Sequence, residues 1–133
     1  VGIIRTGSEL AEAIEKIAAI RARSANVSVS GGRKFNPGFH LAFDLDNMLL
    51  VAESTAKSAI NREESRGGHT RDDFPVMNEK WRQINNISSF DGQKVSIREQ
   101  ALPSIPKELF DLFDIHELEK YMTSAEIAKG GSN

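Results

Sequence analysis

The chain has 133 residues, 39% hydrophobic and 27% charged, which suits one modest core with a tail but not several. It has no cysteine, so disulfides, iron–sulfur ligation and thiol catalysis are excluded in this segment, and a net charge of −2 offers no global field for nucleic acid or anionic lipid. No apolar run approaches the roughly 18 residues of a membrane span, so no direct membrane insertion is expected, and Val1 in place of a start methionine suggests a piece of a longer protein.

Thr6 and Glu9 have the T-x-x-E spacing of a capping box. Leu10, Ala13, Ile14, Ile17 and Ala18 then form an apolar stripe, which predicts a helix over residues 7–23. Residues 24–34 are polar, contain Gly31 and Gly32, and read as a flexible connection. The second helix has the strongest signal. Asn36 can cap it, Pro37 fits its first turn, the periodicity runs to Ser65, and Gly67 and Gly68 can supply a left-handed exit. Such a helix is a rod of roughly 40 Å, long for a domain of this size.

At 100° per residue, Leu41, Leu45, Met48, Leu49, Ala52, Ala56, Ala59 and Ile60 share one face of that rod. Phe39, Phe43 and Leu50 fall on the opposite face, in its first half only. Ser54, Lys57 and Asn61 continue that face with residues suited to water. Phe39, Phe43 and Leu50 are therefore a candidate packing face, covered either by the chain's own tail or by a larger domain. Without that cover, the isolated chain is expected to self-associate or to bind hydrophobic dyes.

Past Gly68 lies a turn-rich stretch ending in Asp73-Phe74-Pro75, then a helical turn predicted at 78–82 around Trp81. Asp91-Gly92 between residues 84–90 and 94–98 signals a hairpin, with Val95 and Ile97 alternating as in a half-buried strand. A lone hairpin is marginal and must lean on something. Pro103 and Pro106 introduce Leu109, Phe110, Leu112, Phe113, Ile115, Leu118, Tyr121 and Met122, an apolar tail expected to clamp onto a neighbouring surface. Thr123 and Glu126 repeat the capping-box spacing before residues 130–133, which are expected to fray. The predicted class is mainly α. Residues 1–82 form a three-helix-bundle-like (spectrin-repeat-like) domain with a long central helix, and 83–133 a β-hairpin and a short helical C-terminal tail.

The residues that could carry chemistry do not assemble into a catalytic set. His40, His69 and His116 are scattered without metal-ligand spacing, so no metal site is expected. Asp44 and Asp46 diverge on a helix, and Ser8, Ser65 and Ser104 lack a nucleophile-elbow context. Gly31-Gly32-Arg33-Lys34 lacks phosphate-loop spacing. The densest polar cluster runs from Arg62 to Asp73. Its histidine and arginines could serve acid–base work or anion binding. The favoured alternative places Arg66, His69 and Arg71 near a helix C-terminus, where cations meet free carbonyls and adjacent acids form a web of ion pairs.

Glu64-Ser65-Arg66-Gly67-Gly68-His69-Thr70-Arg71-Asp72-Asp73-Phe74-Pro75 resembles the motif E-S-R-G-(A/G)-H-x-R-x-D-(Y/F)-P of succinate dehydrogenase and fumarate reductase flavoproteins and of L-aspartate oxidase. Residues 1–6, VGIIRT, are similar to that family's lead-in to its first helix, Asn47-Met48-Leu49-Leu50-Val51-Ala52-Glu53 to its core helix, and Trp81 to the tryptophan that follows the motif. Residues 109–121 look most like actinobacterial-type succinate dehydrogenase flavoproteins; L-aspartate oxidase is the runner-up. The resemblance implies a helical domain packed against a flavin-binding domain of the same subunit, near an iron–sulfur subunit, at the cytoplasmic face of a membrane-associated complex. The parent reaction so implied is oxidation of succinate to fumarate, with electrons passing through FAD to the iron–sulfur subunit and a quinone. Neither FAD attachment nor a catalytic residue maps onto this segment. Arg62, Glu64, Arg66, His69, Arg71 and Asp72 are carried over only as candidate interdomain anchors. A free-standing helical interaction module is the alternative from another class.

Overall fold

The computed structural model describes residues 1–130. Its first helix starts where the sequence places it: the Thr6 hydroxyl accepts from the Glu9 amide, and the Glu9 carboxylate accepts from the Thr6 amide at 2.8 Å. From this cap α1 runs Gly7–Ser24. Replacing the cap, Thr6→Ala, is expected to cost about 1 kcal/mol, read as a lower urea midpoint. An unchanged midpoint would mean that the box does not hold this helix end.

The second helix, α2, spans Pro37–Asn61, 25 residues or about 38 Å. It lies antiparallel to α1. Leu10, fully buried, packs on Ala56 and Ala59 with Ile14, Ile17 and Ile60 around them, while further along α1 Arg21 pairs with Glu53 at 2.5 Å and Ser24 donates to Asp46 at 2.9 Å. The alanines let the helices approach closely, and burying Leu10 contributes about 2 kcal/mol. Asn36 stands at the N-cap but makes no capping bond with its side chain; its Nδ2 instead donates to the Ser30 and Gly32 carbonyls and ties down the preceding loop.

The helix ends at Asn61, four residues before the expected Ser65, because Arg62 turns extended (φ −86°, ψ 94°). Gly67, with φ 59°, serves a different turn from the expected helix exit: Arg66 and His69 exchange backbone hydrogen bonds of 2.9 and 3.1 Å across it. Beyond it, β2 (Thr70–Arg71) pairs in parallel with β1 (Ile4–Arg5), so the segment preceding α1 and the segment following α2 meet in one short ladder.

A 3₁₀ helix, Glu79–Arg82, carries the buried Trp81 and is capped by the Asn78 side chain. The hairpin follows as β3 (Ile84–Phe90) and β4 (Val95–Ala101), paired antiparallel with Phe90 opposite Val95. It leans on α2. Ser54, Lys57 and Asn61, expected to face water, make this contact: Ser54 donates to Ser88, Lys57 Nζ to the Val95 carbonyl, and Asn61 to Asn86, at 2.8, 2.8 and 2.9 Å. Polar residues on a helix face thus mark a hydrogen-bonded neighbour here. The bundle is built from two long helices, with the hairpin alongside α2.

The two covers leave a third side of α2 open. Leu41 and Met48, assigned to the buried face by periodicity, are 64% and 61% exposed, as is neighbouring Val51 at 65%. The tail forms α3 (Lys107–Phe110), α4 (Ile115–Leu118) and α5 (Ser124–Ala128), the last with the expected capping box. Phe110 and Leu118 are buried, while Arg82 of the 3₁₀ helix holds the tail by donating to the Tyr121 carbonyl and pairing with Glu126 at 3.0 Å. Of the end expected to fray, residues 131–133 lie outside the described residues.

Candidate functional site

The early end of α2 changes what residues 62–66 can do. On a helix, positions two apart point away from each other; past Asn61 the chain leaves the helix with Arg62 extended and bends at Glu64. Arg62, Glu64 and Arg66 therefore converge. Glu64 is fully buried and accepts from Arg62 at 2.6 and 2.9 Å, from Arg66 at 3.1–3.2 Å, and from the Asn78 amide at 2.9 Å. Burial alone would raise its pKa. The hydrogen bonds from Arg66, the Asn78 amide and Arg62 outweigh that and bring it down to about 2.

Arg71 is the second buried charge, 2% exposed. Its Nη1 donates to the Ala59 and Ile60 carbonyls, the free acceptors at the end of α2, at 3.0 and 3.1 Å. Its Nε and Nη2 form a two-pronged contact with Asp73, both at 2.7 Å, and Phe74 lies beneath its guanidinium. Hydrogen bonds from Arg71 hold the Asp73 carboxyl well below the usual range. Asp73 also accepts the Gly7 amide at 2.8 Å, the first of α1. A Cβ on Gly7 would stand 3.0 Å from Arg71 Nη2 and 3.1 Å from Asp73 Oδ2, so a side chain here would push the pair aside by a few tenths of an ångström. The pair thus ties the N-terminus of α1 to the C-terminus of α2.

His69 is half-buried, and its Nε2 lies 2.9 Å from the Arg62 carbonyl. A carbonyl only accepts, so Nε2 carries the proton. Burial lowers the imidazole pKa, the Arg62 carbonyl opposes this, and the charges of Arg5, Arg62 and Arg71 lower it further. Ser65 completes the turn, donating to the Phe74 carbonyl and accepting the Arg71 amide, both at 2.9 Å.

Of the six candidate anchors, Arg62, Glu64 and Arg66 form one cluster, Arg71 another, and His69 bridges back to Arg62. Asp72 is tied through its backbone, whose amide donates to the Arg5 carbonyl at 3.0 Å; the carboxylate that holds Arg71 belongs to Asp73, which the candidate anchors omitted in favour of Asp72. The signal for it was the family motif itself, whose aspartate falls on Asp73. On the candidate packing face, Phe39 and Leu50 are half-buried, Phe43 is 67% exposed, and the Phe39 and Phe43 rings meet edge-on at 4.8 Å. Beside the charge clusters, an open polar cleft of about 500 Å³ runs between α2, β1 and β3. No group of three or more metal-binding side chains occurs among the described residues.

A family model described as fumarate reductase flavoprotein C-term matches residues 1–109. The chain belongs to this family. The fumarate reductase flavoprotein subunit of Helicobacter pylori is 35% identical over 115 residues, 84% of this chain and 15% of that protein. An uncharacterized FAD-dependent oxidoreductase of Methanocaldococcus jannaschii is 44% identical over 82 residues, 62% of this chain and 14% of that protein. Among solved structures, Mycobacterium smegmatis Sdh1 in complex with UQ1 superposes with a TM-score of 0.81 at 44% identity, covering 96% of this chain and 22% of that one. E. coli quinol fumarate reductase FrdA gives 0.69 at 25% identity, over 79% of this chain and 19% of that one.

The family assignment agrees with the motif, and the mycobacterial match extends beyond residue 109 into the tail that resembles actinobacterial-type flavoproteins. The chain spans about a seventh of the length of these curated relatives. Gly31 and Gly32 do not form a dinucleotide fingerprint: they lie in an irregular loop that follows a helix, whereas the fingerprint needs a strand leading into a glycine turn and a helix. No described helix is long and apolar enough to cross a membrane.

Proposed function

We propose that this segment is the bracing domain of a succinate dehydrogenase or fumarate reductase flavoprotein subunit, whose FAD and dicarboxylate chemistry belong to the rest of the parent chain. One observation carries this reading. The charged groups of the family motif are committed to internal ties: Glu64 to Arg62 and Arg66, Arg71 to Asp73 and the end of α2, and His69 to the Arg62 carbonyl. Arg66 and Arg71 have no lone pair to accept a proton and Glu64 has its oxygens filled, so among these groups only His69 keeps one, on Nδ1, while its Nε2 proton is held by the Arg62 carbonyl.

Under this reading residues 1–82 form the bracing unit, and 83–133 the hairpin and tail that extend it. The flavin domain covers the open apolar side of α2, with Leu41, Phe43, Met48 and Val51 exposed for it, and Phe39 and Leu50 completing the packing face. Arg62, Glu64, Arg66, His69, Arg71 and Asp72 keep the turn rigid where it meets that domain. The assembled subunit sits with an iron–sulfur partner on the cytoplasmic face of a membrane.

The test is His69→Ala in the full-length subunit. Reduced assembly with normal turnover per bound flavin is expected. Intact assembly with abolished flavin reduction would overturn the bracing role and place the imidazole in catalysis.

A further inference from the structure

We propose that the cleft between the last turns of α2, β1 and β3 is a carboxylate-binding site. Arg5 and Arg62 both line it, and both retain free donors. Arg5 uses only its Nε, on its own Ile3 carbonyl at 3.3 Å, so its two terminal nitrogens have no partner among the described residues. Arg62 gives Nε and Nη2 to Glu64, which leaves Nη1.

No aspartate or glutamate lines the cleft. Of the neighbouring acids, Glu64 is enclosed by Arg62, Arg66 and the Asn78 amide and Asp73 by Arg71 and the Gly7 amide, while Glu63 and Asp72 do not line the cleft. Arg62 is paired with Glu64, so the cleft's unpaired cation is Arg5, joined by the free Nη1 of Arg62. Guanidinium N–H forks match the planar, two-oxygen geometry of a carboxylate. Asn85 on β3 adds an amide across from them, and Trp81 and Ala59 supply an apolar wall that suits the carbon chain behind a carboxylate. The volume of about 500 Å³ admits a short acid and falls in the usual range of small-ligand sites. The carboxylate comes from one of two sources, a free small acid or an acidic side chain from the remainder of the parent chain.

Trp81 is the chain's only tryptophan and lines the site, so its emission reports occupancy directly. The chain is titrated with acetate at ionic strength held constant with chloride, and the rate of Arg5 modification by phenylglyoxal is followed in parallel by peptide mass spectrometry. A saturable change in emission is expected, with Arg5 modification slowed about fivefold at acetate near four times its dissociation constant. Arg5→Gln is expected to weaken the emission response about tenfold, as loss of a charge-assisted pair would. Acetate acting no differently from chloride overturns the site, as does an Arg5→Gln response equal to wild type. In the full-length subunit, Arg5 that is already protected and unresponsive to acetate identifies a side chain as the source. Arg5 that is open and protected by acetate identifies a free acid.

Discussion

Glu64→Ala is expected to lower the unfolding free energy of the chain by about 3 kcal/mol, measured by urea denaturation near neutral pH. The carboxylate is fully buried, while Arg62 and Arg66 are each 32% exposed. Removing the acid leaves two guanidiniums and the Asn78 amide facing a void, but the partial access of the arginines to water keeps the loss at the lower end of the range for broken buried pairs. The pH dependence gives an independent reading of the same interaction. The Glu64 pKa is lowered from 4.5 to about 2 in the folded protein. As pH falls below 4.5 the unfolded chain takes up this proton first, so the contribution is complete above the unfolded value and disappears as pH approaches about 2. That lowering corresponds to about 3 kcal/mol. Glu64→Gln keeps the shape and removes the titration, so its stability is expected to vary less than that of wild type across this acid window. Parallel curves for the two proteins would show that Glu64 is not the group responsible.

Arg71→Ala is expected to cost about 4 kcal/mol. The side chain is 2% exposed and serves three elements at once: the Ala59 and Ile60 carbonyls ending α2, the Asp73 carboxylate, and through Asp73 the first amide of α1. Truncation leaves the helix carbonyls unsatisfied and Asp73 without its cation. Arg71→Lys keeps the charge but replaces a five-donor fork with a point donor that cannot reach both partners, and is expected to cost about 2 kcal/mol. Hydrogen exchange at the Arg62 amide, bonded to the Ser58 carbonyl at 3.1 Å, adds a local readout, because fraying of the last turn exposes it. A variant within about 0.5 kcal/mol of wild type, with this amide still protected, would remove Arg71 from the account of how α2 ends.

Where a signal was local, the sequence was sufficient. The reciprocal Thr6–Glu9 and Thr123–Glu126 contacts lie within one turn, and both boxes form. The hairpin follows from Asp91-Gly92 and an alternating strand, and Asp91 indeed accepts the Gln93 and Lys94 amides. The family motif was legible for the same reason, being contiguous. Where the deciding partner lay far along the chain, local reading misplaced the outcome. Asn36 had the right identity for a cap, but its side chain is held by Nδ2 donating to carbonyls of the loop behind it and its Oδ1 accepts from no helix amide.

The packing faces followed the same division. Periodicity correctly placed Leu49, Ala56 and Ala59 in the core, yet it could not tell that Leu41 and Met48 would stand beyond the reach of α1 and the hairpin. Ser54, Lys57 and Asn61 looked like a solvated face because hydrogen-bonding residues satisfy water and a strand edge equally well; only the hairpin's position decides between them.

The sequence by itself determined a mainly helical domain with a long central helix, a hairpin, a short helical tail and membership of the flavoprotein family. It did so through spacing rules that act within a few residues. Tertiary structure alone decided where α2 stops, because its last carbonyls are capped by the side chains of Arg71, His69 and Asn86 rather than by the nearby glycines. That early stop takes residues 62–66 off the helix, lets Arg62, Glu64 and Arg66 converge, and turns a run of charges into a buried tie.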